Sequence, residues 1–99
     1  MPRRIVWSPL AEKDLIDISD YLIANWNVKT VNQFLSLVDH LILLVSKNPL
    51  QFPKINEELN VRKCVITKHN SIFYRVSSKQ IDILRIFDTR QDPIKLKFK

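Results

Sequence analysis

The chain has no glycine among its 99 residues. That excludes every phosphate-cradling loop built on glycine, both the P-loop and the dinucleotide fingerprint. Turns must use Asn, Asp, Ser or Pro instead. A single cysteine, Cys64, excludes an internal disulfide and suits a reducing compartment. It also leaves too few thiols for a Cys₄ or Cys₂His₂ zinc site, so no metal or other cofactor is expected. Long apolar runs are missing too. The longest, Leu41–Val45, falls far short of the roughly 18–20 residues that cross a bilayer. The start, MPRRIVWSPL, lacks the apolar stretch of a signal peptide. These absences predict a cytoplasmic protein with no membrane partner.

Acidic residues are scarce in one part of the chain only. Residues 1–60 hold six Lys/Arg and seven Asp/Glu, whereas residues 61–99 hold ten Lys/Arg against Asp82, Asp88 and Asp92. The net charge of +6 therefore resides in the last two-fifths. Such asymmetry points to an acidic or nucleic-acid partner for that half, the plain alternative being a solvated face.

What is present reads as one domain over residues 1–99. RIVW (Arg4–Trp7) is a short strand. Ser8-Pro9 opens a helix, the serine as N-cap and the proline at the first helical position. Leu15, Ile18, Leu22 and Trp26 recur at helical spacing, which predicts a helix from about Pro9 to Asn25. Asn27 is the expected N-cap of a second helix. Its stripe of Val31, Phe34, Leu35, Val38, Leu41, Ile42 and Val45 is the clearest pattern in the chain. Asn48-Pro49 ends it. Residues 48–60 hold two prolines and no period, and read as a surface linker. Three strands follow: Val61–Thr67, Asn70–Val76 and Gln80–Asp88. Asn70 is expected to take the left-handed conformation of a tight turn. Short connections make these strands an antiparallel meander. The predicted fold is α+β in the order β-α-α-β-β-β, a helical hairpin packed on one face of a small, mostly antiparallel sheet. The first strand must join at an edge or beside the last strand.

Strand alternation then suggests a surface. Arg62, Arg75 and Arg85 are expected to converge on the face away from the helices, with Phe73, Ile83 and Phe87 between them. Arg90 would stand at the rim, just past the last strand. Guanidinium groups fork onto phosphate or carboxylate, and rings stack on bases or fill apolar grooves. Asp88 and Asp92 flank Arg90 and could orient it. His40 and His69 read as solvent-facing, and the basic neighbours of Cys64 could lower its pKa. The tail IKLKFK, beyond Pro93, sets lysine at every second position.

The segments IVWSPLAEKDLIDISDYL, NP…FP (Asn48-Pro49, Phe52-Pro53), VRKCVI…NSIFYRV and ILRIFDTRQDP resemble the RelE/ParE superfamily of toxins from type II toxin–antitoxin (plasmid stabilisation) systems. The resemblance covers nearly the whole chain. It implies a helical hairpin on a small sheet, and a small antitoxin partner with an acidic C-terminal segment. A homodimer or a toxin–antitoxin heterotetramer fits such a partnership. RelE-like members cut mRNA in the ribosome with basic side chains and a C-terminal tyrosine or histidine, whereas ParE-like members poison DNA gyrase. Arg62 and Arg90 match basic positions of the RelE-type site, and a ribonuclease here would rest on Arg62, Arg75, Arg85 and Arg90. Cys64 and Ser71, however, stand where that type often has lysine and arginine. After Tyr74 the chain has neither tyrosine nor histidine, and Leu96 or Phe98 occupies the tail instead; such side chains exchange no proton. The resemblance thus favours a ParE-like toxin that binds its target, with Arg62, Phe73, Arg75, Ile83, Arg85, Phe87 and Arg90 contacting target or antitoxin. The remaining readings are a RelE-like ribosome-dependent endonuclease and a degenerate member that only binds antitoxin.

Overall fold

Helix signals in the sequence are used where they were expected. Ser8 is extended (φ −72°, ψ 156°), and its Oγ accepts from the Ala11 amide at 3.0 Å, with Pro9 next in line. Asn27 Oδ1 accepts from the Thr30 amide at 2.8 Å and opens the second helix. The computed structural model describes residues 3–88. Within them run β1 (Arg4–Trp7), α1 (Pro9–Asn25), α2 (Val28–Lys47), β2 (Lys54–Asn56), β3 (Val61–Val65), β4 (Asn70–Val76) and β5 (Gln80–Asp88).

The five strands form one sheet in the order β1-β5-β4-β3-β2. β1 runs parallel to β5, from Arg4 opposite Gln80 to Trp7 opposite Ile83. All other pairings are antiparallel. The first strand thus takes both expected places, beside the last strand and at an edge. The linker hides a strand that the sequence pattern missed. β2 is three residues long, exposed throughout and shifted in register against β3, so no alternation marks it. β3 stops at Val65 rather than Thr67. Among the described residues the left-handed one is Asn60 (φ 54°), at the turn before β3, and not Asn70. Asn70 is already extended, exchanging backbone bonds with Thr67.

The core lies between the helices and one face of the sheet. Ala11 of α1 and Phe34, Val38 and Val45 of α2 pack on Cys64, Ile72, Tyr74, Ile81, Ile83 and Ile86. α2 has the length and hydropathy to cross a bilayer, but Val31, Phe34, Val38 and Val45 are buried, the last three in the core against the sheet. Trp26, last of the α1 series, stands 68% exposed.

A bulge sets the rest. Ile83 pairs with Tyr74 and Arg85 with Phe73, so Leu84 is the extra residue in β5. The extra residue lets Ile83 and Ile86 both face the helices. Leu84 instead joins Val61, Phe73 and Phe87 in a second buried cluster. Phe73 alternates with Ile72 and Tyr74, which places this cluster on the opposite face of the sheet.

Candidate functional site

The three strand arginines do not converge. Arg62 sits opposite Tyr74 on the helix side of β3, not on the open face. Its Nη1 donates to the carbonyls of Leu50 (3.2 Å) and Phe52 (2.6 Å). Tyr74 Oη donates to the Pro49 carbonyl at 2.6 Å, and the Phe52 ring meets the Tyr74 ring edge-on at 6.4 Å. Arg62 and Tyr74 together strap residues 49–52 to the sheet. Arg62 shares its side of the sheet with Cys64 and Ile66, both in the main core. Which face that set takes was decided by Tyr74, whose ring belongs to the main core.

Arg75 does lie on the opposite face, half-buried, with Nε donating to the Leu59 carbonyl at 3.0 Å. Arg85 turns to α1. Its Nε and Nη2 donate to Asp14 Oδ2 (2.7 Å) and Oδ1 (2.9 Å), a forked pair with side chains only 12% and 14% exposed. Asp14 Oδ2 also accepts from the Ile86 amide at 3.1 Å. The Arg85 guanidinium is held further in its charged form, first by these bonds.

The apolar members separate as well. Ile83 is fully buried under the helices, a correction that follows from the Leu84 bulge. Phe73 and Phe87 are on the expected face, edge-to-face at 6.5 Å, but they are buried rather than presented. Arg90, Asp92, Pro93 and the lysine tail lie outside the described residues.

The groups capable of proton exchange are also accounted for. Cys64 is fully buried, and desolvation pushes its thiol up to about 11, the reverse of what its basic sequence neighbours suggested. Burial likewise pushes the Tyr74 phenol up to about 12. His40 is exposed on α2, and His69 is half-buried in the turn before β4. No group of three potential metal ligands occurs among the described residues. Sequence reasoning missed Asp14 altogether as a partner for Arg85. Nothing local announces a contact that far along the chain.

Comparison with known proteins agrees with this architecture. The family model for the ParE toxin of the type II toxin–antitoxin system parDE matches residues 5–93. No curated protein matches the chain. Among solved structures, a chain of the chromosomal ParDE system from P. aeruginosa is 22% identical, with 87% of this chain and 95% of that chain covered and a TM-score of 0.75. A chain of the RelBE2 toxin–antitoxin complex from Mycobacterium tuberculosis is 17% identical, with coverages of 89% and 99% and a TM-score of 0.62. One from the E. coli DinJ–YafQ complex is 14% identical, with coverages of 91% and 96% and a TM-score of 0.64. On the family match, which spans most of its length, this chain belongs to the ParE toxins of type II toxin–antitoxin systems.

Proposed function

We propose that this toxin acts in the cytoplasm by binding a macromolecular target, DNA gyrase, without covalent chemistry of its own, and that a cognate antitoxin with an acidic, amphipathic C-terminal segment neutralises it. One observation carries the reading. Arg62, Arg75 and Arg85 are each engaged by a protein oxygen, in three different directions, so they do not form a joint cradle for a scissile phosphate. The two positions where a RelE-type site often has cations support it. Cys64 is fully buried and Ser71 is 2% exposed, and both are small and uncharged. Electrostatic donors aimed at developing charge are commonly worth orders of magnitude in rate, and these two positions supply none.

The likeness in fold to chains of the RelBE2 and DinJ–YafQ complexes keeps a ribosome-dependent nuclease as the second reading. One experiment separates them. The toxin is expressed without antitoxin, and DNA-damage induction and transcript integrity are measured in the same cells. Purified toxin is assayed alongside for inhibition of gyrase supercoiling. Damage induction with intact transcripts and inhibited supercoiling is expected. Cleavage of translated mRNA that Arg90→Ala abolishes would overturn the proposal in favour of the nuclease. Unimpaired growth would reduce the chain to an antitoxin-binding component.

A further inference from the structure

α1 has two apolar sides where a surface helix needs one. Ala11, Leu15, Ile18 and Leu22 pack into the core. Glu12, Ile16, Asp20 and Ile23, at steps of four, four and three, are neighbours on another side, and all are exposed. Ile16 is 60% exposed and Ile23 53%. Trp26 and Val28 follow at the turn into α2, 68% and 62% exposed. Single apolar residues on a surface need no explanation, but these four fall within residues 16–28. A β-branched isoleucine is also a poorer helix former than the alanine, lysine or glutamate of an ordinary solvent-facing side.

Charge gives this side a sign. Of the four acids of α1, Asp14 is held by Arg85 and Asp17 by Lys13, the one base of the helix. Glu12 and Asp20 stand outside any ion pair among the described residues, one turn before Ile16 and one turn after it. The result is an acidic apolar stripe on a chain of net charge +6. Such a stripe repels a nucleic acid. It is unsuited to a second copy as well, because α1 packed on α1 would oppose two sets of four acids with one lysine in each set.

We infer that this outer side of α1 docks a basic amphipathic helix of a partner protein, which lays aliphatic side chains on Ile16 and Ile23 and brings lysine or arginine to Glu12 and Asp20. A helix is the fitting shape. Isoleucines seven residues apart form a two-turn ridge that meets the i, i+3, i+4 and i+7 anchors of another helix. Trp26, at the end of the ridge, is of the residue type most enriched among the anchors of such contacts. Long lysine and arginine stems add apolar cover while their heads reach the carboxylates. The partner's sign is opposite to that of an acidic antitoxin segment, so the two contacts are separate. Docking here does not depend on which target the toxin inhibits.

The test uses the full-length toxin and two acetylated, amidated peptides. One repeats the heptad leucine-alanine-alanine-leucine-lysine-alanine-lysine, and the other has glutamate in place of lysine. Nitrogen-15 NMR follows the backbone amides of Glu12, Ile16, Asp20 and Ile23 and the indole N–H of Trp26. Saturable shifts at these groups are expected with the lysine peptide. Binding of the glutamate peptide should be weaker by about tenfold or more, because attraction to Glu12 and Asp20 becomes repulsion. Serine at both Ile16 and Ile23, which are exposed, should weaken the lysine peptide by about tenfold or more. Glu12→Gln with Asp20→Asn should bring the two peptides to within about threefold of each other. Val65→Ser, at an equally exposed position on the other face of the sheet, should leave binding unchanged. Equal binding of the two peptides by the wild-type toxin, shifts confined to other residues, unchanged binding once both isoleucines are replaced, or no saturable shift at millimolar peptide would each overturn the inference.

Discussion

Replacing Asp14 by alanine tests how the two ends of the chain are joined. The carboxylate of Asp14 receives three hydrogen bonds, two from Arg85 and one from the Ile86 amide. Arg85 is left 12% exposed at its side chain once folded, so Asp14→Ala takes two hydrogen bonds and the facing carboxylate from a mostly buried guanidinium. Removing one partner of a buried pair typically costs about 3–5 kcal/mol, against the ~0–1 kcal/mol of a surface pair. The whole stability of a domain this size is about 5–15 kcal/mol, so the loss would be a third or more in most of that range. The assay is urea unfolding followed by far-UV circular dichroism on wild type, Asp14→Ala, Arg85→Met and the double variant. The double variant should be no less stable than Asp14→Ala alone, since methionine removes the buried charge. The expected coupling is about 2–3 kcal/mol, at the upper end for residues in one network. A loss below about 1 kcal/mol for Asp14→Ala, or strictly additive single effects, would refute the reasoning and make the pair an ordinary surface contact.

Two further outcomes follow from buried groups. Cys64 and Tyr74 keep their protons longer in the folded chain than in the unfolded one, to about 11 and about 12 from ordinary values of 9.0 and 10.0. The unfolded state therefore binds fewer protons above pH 9, and stability falls as pH rises from about 9 to about 12, by roughly 1–3 kcal/mol per group. Chemical unfolding at stepped pH should show this decline, Cys64→Ala should delay its onset to about pH 10, and a thiol reagent at pH 8 should label the native chain only as fast as it opens. Arg62→Ala and Tyr74→Phe each remove part of the strap on residues 49–52. Each should cost about 1–3 kcal/mol, with the pair non-additive because both act on one segment; a thermal melt in which Arg62→Ala matches wild type would return Arg62 to the list of free surface cations.

Much of the architecture was legible because helices announce themselves locally. Ser8-Pro9, Asn27 and Asn48-Pro49 mark helix boundaries by the bonds that their own atoms make. Strand existence was legible from apolar runs, and β4 and β5 begin and end where the runs do. β2 was not, because three exposed residues in a shifted register carry no alternation to read. The candidate surface failed for a related reason. Alternation tells which residues share a face only while the count stays even, and the Leu84 bulge reverses it midway along β5. Ile83 was therefore assigned to the wrong side. Arg62 was expected on the open face with the other strand arginines, but alternation does not say which face a set takes, and on the core side the carbonyls of Leu50 and Phe52 offset the cost of its charge. Asp14 was invisible as a partner because an ion pair between helix and distant strand leaves no mark in local sequence.

The place of β5 between β1 and β4 also governs when the protein can exist during synthesis. Ser8 donates its hydroxyl to the Leu84 carbonyl across 76 positions, and the Ser8 amide reaches Ile83. A nascent chain leaving the ribosome presents β1 and the helical hairpin first, and these wait for an interior strand that is the last of the described ones to emerge. Loop closure over that separation must precede the contacts that reward it, which makes folding slow and late. A product terminated before β5 has its first strand and both helices but lacks Ile81, Ile83 and Ile86 of the surface they cover and the strand that joins β1 to the sheet, so translation must pass β5 before the fold can close.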